Sequence, residues 1–120
     1  MELVVEHTKE YKKDIQQATG KEKKEIDKRI SVMAGSLLNG KAAFFEHASK
    51  PHVFKLKYGA KSSLYVLRLG NNLSAIASID EDPLFDKINL TLYRLVDQNK
   101  ADRVYKDVGK GLYKSENLME

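Results

Sequence analysis

The chain contains no cysteine, which excludes a disulfide framework, thiolate catalysis and thiolate metal ligation. It contains no apolar run of membrane-spanning length, and Met1-Glu2-Leu3 leads into a charged stretch rather than a signal-peptide pattern. A cytoplasmic protein with no membrane contact is therefore expected. No phosphate-binding glycine loop is present, because Gly70, Gly109 and Gly111 stand in the wrong contexts, and no Ser/His/Asp arrangement can be read. One further absence is local. The composition is nearly balanced, with 21 Lys and Arg against 17 Asp and Glu and a net charge of +4, yet no acidic residue occurs from His47 to Ile79. That stretch carries Lys50, Lys55, Lys57, Lys61 and Arg68, with His47 and His52 beside them. A run of one sign on a sheet is an electrostatic footprint for phosphate or another polyanion. A merely solvated face is the alternative.

What remains is enough for one domain, residues 1–120, with one modest core and residues 115–120 as a frayed tail. The organising stretch is Leu64 to Val96. Strands are expected over about Leu64–Leu69, Leu73–Asp80 and Lys87–Val96. Gly70-Asn71-Asn72 closes a tight turn, and Pro83 breaks the ladder after Asp80-Glu81-Asp82. In the third strand Ile88, Leu90, Leu92 and Val96 share one face. Such a meander has one face to cover and one free. Glu2–Glu6 reads as a first strand added to it. Thr8 can cap a helix through about Ala18 that Gly20 terminates, and Ile26, Ile30, Met33 and Leu37 mark a second helix over Lys21–Leu38. Phe44 and Phe45 fit either a helical turn or a packed loop. Val53–Tyr58 alternates Phe54, Leu56 and Tyr58 with Lys55 and Lys57, as a two-faced strand does. Val104, Val108 and Leu112 give a last helix over about Lys100–Tyr113, with Asp97 or Asn99 as its cap. The fold class expected is α+β: an N-terminal strand, a helical hairpin packed on a twisted antiparallel meander, and a short C-terminal helix.

This order, with its basic strand face, resembles the RelE/ParE superfamily of toxins from bacterial toxin–antitoxin pairs. The resemblance is carried by Val53-Phe54-Lys55-Leu56, Leu64–Leu69, Asn72–Ala77, Leu92–Val96 and Lys100–Tyr105. It implies a toxin blocked by a cognate antitoxin. In the RelE branch it implies ribosome-dependent cleavage of mRNA, and in the ParE branch poisoning of DNA gyrase. The RelE branch places Arg68 at its basic strand position and Tyr105 at its late tyrosine. Two family positions differ: Leu73-Ser74 stands where an arginine follows an aromatic, and the late arginine falls near Asn99, with Lys100 and Arg103 close by.

Cleavage through the 2′-hydroxyl needs a base, cations around the crowded phosphate and an acid for the leaving oxygen. Clustered cations and a tyrosine can supply these without metal or organic cofactor. Strand alternation sets Arg68 with Leu64 and Val66, and sets Lys55 with Lys57. If those faces coincide, Arg68, Lys57 and Tyr105 form the catalytic group, and Lys55, Lys61, Arg94, Lys100 and Arg103 bind RNA. Tyr93 beside Arg94 could offer a stacking platform or a core ring. The bland alternatives are Arg68 paired with Asp80 or Glu81, a solvated lysine face, and tyrosines packed under a helix. A non-catalytic member of the fold, or a plain RNA-binding domain, would need only the basic face. His47 with His52, or Asp80–Asp82 with Asp86, lack the ligand number and spacing of a metal site.

Overall fold

The computed structural model describes residues 2–113. The chain runs β1 (Glu2–His7), α1 (Lys9–Gln16), α2 (Gly20–Asn39), α3 (Lys41–Phe45), β2 (Ala48–Ser49), β3 (Leu64–Gly70), β4 (Leu73–Asp82), β5 (Lys87–Asp97) and α4 (Ala101–Leu112). The fold is α+β. Five strands form one sheet in the order β1-β5-β4-β3-β2, antiparallel except that β1 runs parallel to β5. A parallel partner needs a crossover, and the helical hairpin α1–α2 followed by the meander provides it.

Local chemistry sets the boundaries. Asn71 and Asn72 take left-handed φ of 52° and 61° and close the β3–β4 turn, with Gly70 at +82° beside them. At the next hairpin the Asp82 carboxylate accepts from the N–H groups of Leu84 and Phe85, so this acidic turn is held by its own backbone. Thr8 caps α1 by accepting from Tyr11 N–H. α1 ends at Gln16, before Gly20. Thr19 then starts α2 with a full capping box, its hydroxyl accepting from Glu22 N–H and the Glu22 carboxylate accepting from Thr19 N–H. Phe44 and Phe45 belong to a helix, α3, with Phe44 buried.

The sheet has two covered faces, not one. α1 and α2 lay Tyr11, Ile26, Ile30, Ala34 and Leu37 on Leu67, Leu69, Ala75, Ala77, Ile88, Leu90, Leu92 and Leu95. On the other side α4 lays Ala101, Val104 and Tyr105 on Leu64, Val66, Ile76 and Val96. Val96 is thus on the opposite face from Ile88, Leu90 and Leu92. A register shift between Ile76 and Ala77, which pair with Arg94 and Leu92, leaves Tyr93 unpaired and inverts the alternation beyond it. α1 takes over the β5 edge where β1 stops. Thr8 donates its N–H to the Leu92 carbonyl and its hydroxyl to the Tyr93 carbonyl. Asp14 accepts from Leu95 N–H at 2.9 Å and from Arg94 at 2.7 and 3.3 Å.

Residues 53–58 do not form a strand. Phe54 and Leu56 are buried in the α4-side core, Lys55 and Tyr58 are exposed, and residues 57–60 make a tight turn through Tyr58 and Gly59 at positive φ. Alternation records which side chains point inward; here that inward face packs under α4 without a strand ladder. The C-terminal tail expected at 115–120 lies outside the described residues.

Candidate nucleic-acid interface

The residues expected to act together are dispersed. Tyr105 is completely buried on the inner face of α4, and its hydroxyl donates to the Leu64 carbonyl at 2.8 Å. Leu64 begins β3, and Arg68 lies four residues further on, about 13 Å at ~3.3 Å per strand residue. Lys57 begins the tight turn that follows Phe54 and Leu56. Tyr105 therefore packs and supports the sheet, and its phenol does not reach the basic surface. Burial pushes that phenol up to about 12, against a smaller opposing effect of the Ser62 hydroxyl, with Tyr113 and Tyr65 adding to the rise.

This placement has a consequence for stability. A phenol whose folded pKa is raised stabilises the fold fully below pH 10.0, its ordinary pKa, and loses that contribution as pH rises toward about 12. Tyr11 is raised too, first by burial and then by Asp27 and Asp14, so it acts in the same sense. The urea midpoint is expected to fall steadily as pH rises above about 10, with the tyrosinate absorbance of the two buried phenols, Tyr11 and Tyr105, appearing only as the fold is lost. Tyr105→Phe is expected to cost about 1 kcal/mol at neutral pH and to flatten that alkaline decline.

Arg68 has different neighbours. It is exposed, and its guanidinium donates to the Glu46 carbonyl at 2.9 Å rather than pairing with Asp80 or Glu81. It lines a hollow of about 600 Å³ at the open end of β3, together with Lys28, Arg29, Met33, His47 and Gln98. α2 contributes Lys28 and Arg29, and the segment entering β2 contributes His47, whose carbonyl accepts Arg68 N–H. Arg29 is fixed by donating to the Leu69 carbonyl at 2.7 Å and to Glu25 at 3.2 Å. Its guanidinium fills the space a side chain at residue 70 would occupy, since an ideal Cβ on Gly70 would stand 2.3 Å from Arg29 Nη1. Among the described residues Glu25 is the one acidic side chain lining the hollow, and it is paired to Arg29. The remaining charge is positive, and the floor includes the apolar Val32, Met33 and Leu69. Cations over an apolar floor suit a phosphate joined to a base or sugar.

The other expected RNA contacts fall in two places. Arg94, Lys100 and Arg103 line a second hollow with Asp14, Glu22, Asp97 and Asp107, so the field there is mixed. Arg94 is engaged by Asp14, whose hydrogen bond is the largest cause of its raised pKa. Lys61 lies near Lys50, and neither lines these two hollows. Burial and the charge of Lys61 lower the Lys50 pKa; its ammonium donates to the Ser62 carbonyl and lies 4.9 Å from the Tyr65 ring centre. Tyr93 is half-buried, its hydroxyl accepting from Ser78 at 3.2 Å. Tyr113 packs on Phe54 at 5.5 Å, and its hydroxyl is 2.8 Å from that of Ser62. Ser74 is buried and pairs with Arg68 in the register. Among the described residues no helix is long and apolar enough to cross a membrane.

Sequence reasoning missed Lys28 and Arg29, which lie outside the acid-free stretch and reach Arg68 only through the packing of α2 on β3. No family model matches the chain, and neither a curated protein nor a solved structure matches it.

Proposed function

We propose that the chain is the toxin of a type II toxin–antitoxin pair, a RelE-like protein that cleaves mRNA on the ribosome in the cytoplasm and is silenced by a cognate antitoxin. The observation that supports this best is the grouping of Arg68, Arg29, Lys28 and His47 around one open hollow on a strand–hairpin–meander–helix fold. In that hollow the RNA 2′-oxygen would attack the adjacent phosphorus and the P–O5′ bond would break. The products are a 2′,3′-cyclic phosphate and a 5′-hydroxyl end. His47 is the imidazole there that would take the 2′-hydroxyl proton and return one to the leaving 5′-oxygen, and Arg68 and Arg29 would offset the growing phosphate charge. No metal or organic cofactor enters this scheme.

A second reading keeps the toxin and removes the cleavage: a ParE-like gyrase inhibitor or a non-catalytic relative. The withdrawal of Tyr105 into the core and the buried Ser74 favour it. Programmed ribosomes incubated with purified protein, with 5′ ends mapped by primer extension, separate the two. New ends in the ribosomal A site are the expected result. Intact mRNA from folded protein, with DNA damage on expression in cells, would establish the gyrase reading instead.

A further inference from the structure

Tyr58 is the most exposed large hydrophobic side chain among the described residues, at 103% of its reference surface, and its backbone is left-handed at φ 61° and ψ 24°. Gly59 follows at φ +69°, and Ala60 N–H donates to the Lys57 carbonyl at 3.3 Å. Two consecutive central residues of positive φ across a closed turn are the pattern of type I′, whose first central position suits Asn, Asp or Gly. A bulky aromatic there is strained and gains no burial in return. The turn projects the ring into solvent between Lys57 and Lys61, with Lys55 and the exposed Val53 just before it. Lys50 and Lys61 are close enough for the charge of one to lower the pKa of the other. No acidic residue occurs anywhere in 47–79.

We infer that Tyr58 is a base-stacking finger for single-stranded nucleic acid, its ring receiving an unpaired base while Lys55, Lys57 and Lys61 hold the flanking phosphates. Every base has a π face, so a ring held clear of the surface gives sequence-tolerant binding, and lysines around it give strong salt dependence. Duplex, whose bases are already stacked, offers the ring nothing. The inference goes beyond the cleavage proposal and does not require it: the difference in oligonucleotide binding between the parent and Tyr58 variants reports on Tyr58, and ribosomal cleavage reports on the hollow around Arg68.

The test is fluorescence anisotropy with a labelled eight-nucleotide strand, as ribo- and deoxyribonucleotide and as duplex, over a range of salt. Tyr58→Ala is expected to weaken single-strand binding about 10-fold or more, whereas Tyr58→Trp retains it. Tyr58→Gly separates function from folding, because it relieves the left-handed backbone: its melting temperature should rise while its binding falls as in Tyr58→Ala. Lys57→Gln should lower the salt slope by about 0.7. Similar loss with both sugars supports stacking on the base. Binding of Tyr58→Ala within about 2-fold of the parent, or equal affinity for the duplex, overturns the inference.

Discussion

Phe54→Ala is expected to cost about 3–5 kcal/mol, a large part of the ~5–15 kcal/mol that holds a domain of this size together. Phe54 has no strand to anchor it, yet it is the piece on which the α4 side closes. Its ring lies 5.6 Å from Tyr105 and 5.5 Å from Tyr113, with His52 against it at 4.7 Å. It also fills the notch at Gly109, where an ideal Cβ would stand 2.0 Å from the ring's Cζ. Glycine inside a helix costs about 1 kcal/mol relative to alanine, so on propensity alone Gly109→Ala should stabilise. Packing reverses the sign. A ring held on three sides cannot swing away, and overpacking of this kind costs about 1–3 kcal/mol, so a net loss is expected. In the Phe54→Ala background the notch is empty, and Gly109→Ala should become favourable by about the propensity difference. Urea unfolding of the four proteins, followed by helical circular dichroism, measures this cycle. Additive effects would show that Phe54 and Gly109 do not share a contact.

The same stretch shows what the sequence could and could not reveal. Strands β3 to β5 and the α1–α2 pair were legible because their periodicities recur against bounded turns, with Asn71-Asn72 and Pro83 marking the ends. Residues 53–58 were misread because inward–outward alternation is shared by a ladder strand and by an extended segment pressed on a core. The bulge at Tyr93 carried no residue-type signal, so the face of Val96 was assigned by an unbroken alternation that the backbone interrupts. On α4 the signal for Tyr105 was present: Ala101, Val104, Tyr105 and Val108 fall at helical spacing, and Ala101, Val104 and Tyr105 are buried. Weighting Leu112 instead drew the stripe to one side of the true one. The hollow was half legible. Arg68 and His47 stood in the acid-free run, whereas Arg29 meets Leu69 across 40 residues of sequence, and no local pattern encodes that meeting.

The second large effect concerns the hollow itself. If it binds and cleaves RNA, Arg68→Ala should lower cleavage about 10²–10³-fold, the range for losing one preorganised charge at a developing phosphate dianion. His47→Ala should lower it about 10²–10⁴-fold. Both side chains are exposed where they line the hollow, so their loss should leave the unfolding midpoint nearly unchanged. Tyr105→Phe is the informative contrast, since the proposed RelE-like reading would give this residue a chemical part and the fold makes it a support. Replacing the phenol removes one hydrogen bond to Leu64 and keeps the ring against Phe54. Cleavage by Tyr105→Phe should therefore stay within a few-fold of the parent, while its stability drops by about 1 kcal/mol. The opposite pattern, with Tyr105→Phe inactive and Arg68→Ala active, would require α4 to swing out and deliver the phenol to the substrate. That motion would have to break the Leu64 bond and open the Phe54–Gly109 notch. The stability of that notch, measured by the Phe54 and Gly109 cycle, sets how rarely such an opening could occur.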